Sequence, residues 1–406
     1  MDTYFKKLGQ TVLARWKKTN FSLTEFPGIA EEAINARPPS DHVDLTVFLK
    51  EFLLNDEQPF QTQSGFGQPE IVAFDHPRFY IQLLFWMDGT TDIHQHEFSG
   101  AFHVMTGSSI HAHFNFENVR AITPYLQMGD VRMRKIELLE TGRTVPIVSG
   151  SACVHSLFHL DTPSVTVVVR TQNDPGTGPQ FNYLPPHMAV DPVFSDALLM
   201  RRRQLLDLLA RVESPEYPDL VRAMIRELDF ERGFYILQSN REDLRMLGLW
   251  PSMLREFEKT HKRLANGVAA TLEEEARREM IKGMRGMIHD SGRRFFLALL
   301  MNVDSRSDLL QLVKKRFPEK KPIETVLQWM SELMEWGDTG ITILDASFPE
   351  SLDVAPDAQP DMLISALRHL MIGSKKAPSK SSGLTLDEMI EIQSALTASS
   401  LRVLVA

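Results

Sequence analysis

Between roughly Gln58 and Asp191 the chain breaks into short runs rich in β-branched and aromatic residues, each bounded by glycine or proline, and long helices cannot be built across such punctuation. Phe79–Trp86, Ala101–Met105, Ile110–Phe116, Val131–Leu139 and Val165–Arg170 are the predicted strands. Asp88-Gly89, Thr106-Gly107, Met128-Gly129-Asp130, Thr141-Gly142 and Ser149-Gly150 are turn signals between them. Closely spaced short strands of this kind imply an antiparallel sandwich or barrel.

The flanks read differently. Tyr4–Lys18 and Ala30–Leu54 place apolar residues three and four apart, as in a small helical lead-in. Beyond the Asn173–Pro179 linker and Pro185-Pro186, helical periodicity dominates, for example over Ala197–Val212, Arg241–Ala265 and Leu272–His289. Lys375–Gly383 reads as a linker, after which Thr385 and Glu388 form a capping box that opens a last helix. Lysine usage marks the same change, because Lys135 is the only lysine between Glu51 and Glu258. The expected fold is therefore α+β and multidomain: a helical lead-in (1–57), an antiparallel β-barrel (58–192), a mainly α-helical domain (193–374), and a linker with a terminal helix (375–406).

At 43% hydrophobic and 24% charged, the 406-residue chain has the composition of a soluble globular protein. Its single cysteine, Cys153, cannot form an internal bridge, which suits a reducing compartment. Met1–Lys18 lacks the apolar core of a signal peptide, and Phe295–Val303 falls short of the ~20 residues that cross a bilayer, so a cytoplasmic protein without a membrane partner is expected. A net charge of -9 argues against nucleic acid as the main partner. Phosphate-cradling loops, the dinucleotide glycine fingerprint, the serine nucleophile elbow and paired-cysteine motifs are all missing from the sequence.

Seven of the 13 histidines fall between His94 and His159, inside the predicted barrel. His94 and His96 are two apart, and alternate strand residues share a face, so both imidazoles can grip one ion. His155 follows a Gly150-Ser151-Ala152 turn, where a neighbouring strand can deliver a third ring. Three nitrogens on one side of a metal leave the other side for water, substrate or dioxygen. His111 and His113 form a second such pair; without a matching third group they read as lining the cavity mouth or facing solvent. His103 has the wrong parity if Gly100 points inward. His159 is placed to orient His155 or a substrate, with a surface position as the alternative, and Arg170 is either a cationic anchor for an acidic group or a strand-end charge. Alternation turns Glu97 away from the ion. Phe85, Trp86, Phe98, Phe102, Phe114 and Phe116 are candidates for a dry pocket wall. The basic cluster Arg277, Arg278, Lys282, Arg285, Arg293 and Arg294 reads as a solvated surface.

Gly89, His94, His96 and Gly107, followed by Pro146, Gly150 and His155, resemble in order the two motifs of the cupin superfamily. The stretch from Phe79 to Gly107 and the segment His155–Arg170 are similar to the cysteine dioxygenase-like thiol dioxygenases within it. The resemblance covers residues 60–175 and implies a jelly-roll type barrel, a metal held by His94, His96 and His155, and Fe(II) as the metal, with Zn, Ni or Mn as alternatives. It implies O2 and a small metal-ligating thiol, amino or carboxylate substrate; His159 and Arg170, read from their own chemistry, are the residues expected to serve catalysis. Three departures qualify it. Gly100 stands where most cupins carry an acidic ligand, Arg170 stands where the thiol dioxygenases carry a tyrosine, and only Arg78 lies near the place of the family's carboxylate-binding arginine. The resulting expectation is a non-haem iron oxygenase. The alternatives are a metal- or ligand-sensing cupin whose helical half engages a protein partner or a second copy, and a metal-dependent isomerase or hydrolase using Glu97 as base.

Overall fold

The computed structural model describes residues 3–62, 66–87, 89–349, 351–372 and 384–406; the Lys375–Gly383 linker and Asp88 of one predicted turn lie outside them. The architecture is α+β. Its strands are β1 (Glu70–His76), β2 (Phe79–Trp86), β3 (Ile93–His96), β4 (Gly100–Thr106), β5 (Ser108–Thr123), β6 (Leu126–Glu140), β7 (Thr144–Ile147), β8 (Gly150–His159), β9 (Ser164–Thr171), β10 (Asn182–Leu184) and β11 (Met188–Val190). One antiparallel wall runs β1-β2-β9-β4-β7, and six strands close on themselves in the order β10-β11-β6-β5-β8-β3.

Each predicted strand is present, but β5 and β6 are longer than the sequence suggests. Their ladder continues past Phe116 and Val131 to Thr123 paired with Leu126, with register shifts between Glu117 and Arg120. The turn is thus at Pro124-Tyr125. Gly129, read as a turn residue, lies within β6, where a side chain would collide with the Glu117 carbonyl and the Phe116 ring.

β2 is buried along its whole length because both of its faces are covered. Its inward side chains Leu84 and Trp86 join Phe98, Phe102, Val104, Leu139, Ile147, Leu157 and Val168 between the walls. Its outward residues Phe79, Ile81 and Leu83 meet Phe5, Val12 and Trp16 from the lead-in. That lead-in is α1 (Thr3–Lys18), α2 (Phe26–Ala36), α3 (Pro39–His42) and α4 (Leu45–Leu54). Pro38-Pro39 divides what periodicity alone reads as one stretch, and the Asp44 carboxylate caps α4 by accepting from the Val47 amide at 3.0 Å.

The C-terminal helices pack on the outside of the other wall. Ile110, Leu138, Phe158 and Leu160 meet Phe295, Phe296 and Leu299, while Leu126, Met128 and Met188 meet Leu199, Val221 and Phe234. The capping box at Thr385 and Glu388 is formed. The basic cluster departs from its solvated reading, because Arg285 and Arg294 are completely buried. Arg285 donates to the His159 carbonyl from Nε at 3.1 Å and from Nη2 at 2.9 Å, and Arg294 bonds the Ile288 carbonyl and the Thr162 hydroxyl. Arg285 thus ties its helix to the barrel through a backbone carbonyl and Arg294 through the Thr162 hydroxyl. Among the described residues no helix is long and apolar enough to cross a membrane.

Candidate metal centre

β8 runs between β3 and β5 and carries His155 at the centre of a rung. His155 stands opposite His94 on one side and His113 on the other. A register shift separates His94 from His96 on β3, where Gly150 lies opposite His96 with φ of +74°, a conformation that favours glycine. His94, His96 and His155 are all buried, and their ring centroids are 4.6, 4.9 and 4.9 Å apart. One nitrogen from each ring lies within 4.8 Å of the others.

The hydrogen bonds identify the free nitrogens. His94 Nδ1 is 2.8 Å from the Asp92 carbonyl, which only accepts, so Nδ1 carries the proton and Nε2 offers a lone pair. That Nε2 is buried with no hydrogen-bond partner. The Nε2 atoms of His96 and His155 face each other at 2.8 Å. Two nitrogens each about 2.0–2.1 Å from one ion stand ~2.9 Å apart at a right angle, so the pair fits a shared metal. Burial, then the neighbouring positive groups, hold His96 and His155 well below the ordinary imidazole pKa, and burial lowers His94 despite its bond to Asp92. Neutral rings are the form that binds metal.

A cavity of about 80 Å³ opens beside the three rings. Trp86, Phe98 and Phe102 line it, as do Gln82, Thr166 and Arg170; no residue of the C-terminal helices does, among the described residues. Of the other predicted wall aromatics, Phe85 faces the lead-in helices, and Phe114, with Phe116 beside it, joins a separate apolar cluster. The Arg170 guanidinium carbon sits 3.5 Å over the Phe98 ring and 5.0 Å over Tyr80, and Nε reaches the Thr171 carbonyl at 3.3 Å. Among the described residues no carboxylate comes within ion-pair distance of it. Burial lowers its pKa, with Tyr80 and Glu70 acting against that shift, yet a guanidinium keeps its charge at neutral pH.

Gly100, at the position where the resemblance would place an acidic ligand, has no room for a side chain. A Cβ there would fall inside the Val169 carbonyl oxygen and lie 3.0 Å from the Arg170 Cα. Because the obstacle is backbone, Gly100→Ala should cost about 3 kcal/mol of stability or more, read as a lowered denaturant midpoint. An unchanged midpoint would mean that β4 and β9 are farther apart than described.

The remaining candidates are placed as follows. His159 is fully buried, stacked on Trp86 at 4.5 Å, and bonded through Nδ1 to the Ser109 hydroxyl at 2.9 Å; it lies behind Trp86 rather than in the cavity lining. His103 points to the opposite side of β4, where it bonds Thr144 at 2.9 Å and Ser40 at 3.1 Å. Glu97 accepts from Asn173 Nδ2 at 3.1 Å and does not line the cavity; among the described residues no carboxylate does. Burial raises the Cys153 thiol pKa, so it is not a ready thiolate. His111 departs from its expected place at the mouth or in solvent: it is completely buried, and Glu137 on β6 supplies the third group that the sequence did not reveal.

No protein-family profile matches the chain, and no curated protein sequence does. Among solved structures it is similar to hydroquinone 1,2-dioxygenase from Sphingomonas sp. TTNP3 with 4-hydroxybenzoate bound, at 10% identity and a TM-score of 0.20, over 27% of this chain and 68% of that one. It is also similar to the DMSP lyase DddQ from Ruegeria pomeroyi DSS-3, at 14% identity and a TM-score of 0.24, over 44% of this chain and 95% of that one. Both overlaps are partial and weak. The closed six-stranded barrel and its buried histidines are themselves consistent with a metal-binding cupin.

Proposed function

We propose that this chain is a mononuclear non-haem iron oxygenase acting with O2 on a small substrate that bears a carboxylate or comparable acidic group. The observation that carries the reading is the meeting of three buried neutral imidazoles at one small cavity with a half-buried guanidinium that, among the described residues, no carboxylate pairs. His94, His96 and His155 would hold Fe(II), which supplies the redox chemistry with dioxygen that side chains lack. Arg170 binds the acidic group through its fork of donors, pre-set by the Phe98 ring beneath it. Trp86, Phe98 and Phe102 exclude water around the rest of the molecule. His159, bonded to Ser109, keeps Trp86 in that wall. The cavity of about 80 Å³ limits the substrate to a small molecule.

The test is oxygen uptake by metal-stripped protein reloaded with Fe(II) or Zn(II), against small carboxylates with thiol, amino or hydroxyl donors. Uptake with Fe(II) alone supports the reading; none with any member of the panel opposes it. Arg170→Gln should raise KM for the active carboxylate by about 10–100-fold, as loss of a charged hydrogen bond predicts, while leaving iron content unchanged.

A sensor reading has one observation in its favour. The helix Val268–Met287 touches both ligand strands, through an ion pair from Lys282 to Asp92 beside His94 and through Arg285 to the His159 carbonyl on β8. A metal-dependent change in that helix without turnover would favour it.

A further inference from the structure

Two clusters of metal-ligand type lie side by side in this barrel. Besides the three histidines, His111 and His113 on β5 and Glu137 on β6 bring one donor atom each within 4.8 Å of one another. His111 stands directly opposite Glu137 in the β5–β6 ladder, and His113 opposite His155 in the β5–β8 ladder. Glu137 Oε1 is 3.8 Å from His111 Nδ1 and 3.4 Å from His113 Nε2. The clusters meet at one contact: His111 Nε2 is 2.8 Å from His155 Nδ1.

That contact is an N–H···N bond with room for a single proton, and the position of the proton decides which cluster is able to take an ion. With the proton on His155 Nδ1, a neutral His155 presents its Nε2 lone pair to His94 and His96. His111 then accepts at Nε2, so its own proton sits on Nδ1, facing Glu137. With the proton on His111 Nε2, His111 Nδ1 becomes a donor for the second cluster, but His155 then carries its proton on Nε2 and leaves the first. Neutral rings therefore allow one cluster or the other.

Lys135 breaks the symmetry. Its ammonium lies 2.9 Å from Glu137 Oε1, so the carboxylate of the second cluster already has a cation on the oxygen that an ion would need. Burial raises the Glu137 pKa, but Lys135 and His113 outweigh it and hold the carboxyl below its ordinary value, so it remains an anion, with Oε1 facing the buried His111 Nδ1 across 3.8 Å, beyond hydrogen-bond distance. Both clusters hold buried nitrogens without a hydrogen-bond partner, His94 Nε2 in the first and His111 Nδ1 and His113 Nε2 in the second, but the nitrogens of His94, His96 and His155 have no carboxylate or ammonium among them.

We propose that His111 and Glu137 are positioning residues for His155, fixing the tautomer that turns its Nε2 to the ion, and that the chain takes one metal ion rather than two. This rests on the reading of His94, His96 and His155 as the ligands. The pattern is an imidazole bound to metal on one side and held on the other by an acceptor, extended here by a second ring.

The test is titration of the full metal-stripped chain with Co(II), followed by equilibrium dialysis and visible ligand-field bands. Wild type should bind one equivalent. His111→Phe, which keeps a ring but no nitrogen, and Glu137→Gln should each weaken binding, by about 10–100-fold for His111→Phe, with shifted bands and unchanged stoichiometry. Glu137 is half-buried, so Glu137→Gln keeps the test open if His111→Phe fails to fold. Two equivalents in wild type, with one lost in His113→Ala, would overturn the proposal, as would wild-type affinity and bands in both variants while His94→Ala loses the ion. Full binding by His94→Ala together with loss in His111→Phe would overturn the ligand reading as well.

Discussion

Replacing His155 with alanine should abolish tight metal binding and leave the barrel closed. The ring occupies the middle of three neighbouring strands, with His96 Nε2 at 2.8 Å from one of its nitrogens and His111 Nε2 at 2.8 Å from the other. Its loss removes a ligand and leaves both of those nitrogens without a partner. A structural metal contributes about 10–16 kcal/mol through about four ligands, so one ligand is worth about 3–4 kcal/mol, or roughly 10²–10³ in affinity. Dialysis against Fe(II) or Co(II) reads the loss. His103→Ala is the control, because that ring bonds Thr144 and Ser40 on the other side of β4 and should leave metal affinity unchanged. Equal binding by the His155 and wild-type proteins would place the ion elsewhere.

Acid should unfold the metal-free protein over an unusually high pH range. Burial is the largest cause lowering the pKa of His94, His96, His111, His155 and His159, and it takes His103 down to about 4. In the unfolded chain each titrates near 6.5. Because the folded pKa is depressed, the unfolded state binds more protons over the interval between the two values, and stability rises with pH there. It is complete above about pH 7 and is lost as pH falls through 6.5 toward the folded values. One fully buried neutral histidine gives a slope of up to about 1.4 kcal/mol per pH unit, so a group of them should bring the denaturant midpoint down steeply between pH 6.5 and 5. Bound metal should shift that loss to lower pH, since protons and metal compete for the same lone pairs. A midpoint that is flat from pH 7 to 5 would show that these rings are already charged or exposed.

The sequence carried the local half of this architecture. Alternation placed His94 and His96 on one face, and the β-branched runs located β2, β4 and β9 to within a residue or two. Long-range register was harder to read. Gly129 looks like a turn residue, and that reading shortens β5 and β6 and hides the pairing of His111 with Glu137, which depends on the true turn at Pro124-Tyr125. Gly129 is needed instead where the ribbon shifts register beside Glu117 and Phe116. Once the hairpin is centred correctly, the His-x-His of β5 and the Lys135-x-Glu137 of β6 fall opposite each other, so a signal existed. The buried arginines offered none. A guanidinium stem on a helix has the same periodicity whether it ends in solvent or on a carbonyl such as that of His159, and only packing distinguishes the two.

The central claim is that three imidazoles from β3 and β8 converge on one ion. The X-ray absorption spectrum of the iron-loaded full chain tests it most directly, because imidazole rings add outer-shell scattering that carboxylates and water lack. The account predicts three imidazole ligands per iron in wild type and two in His94→Ala where iron is retained. Two imidazoles and a carboxylate in wild type, unchanged in His94→Ala, would contradict it and assign the ion to His111, His113 and Glu137.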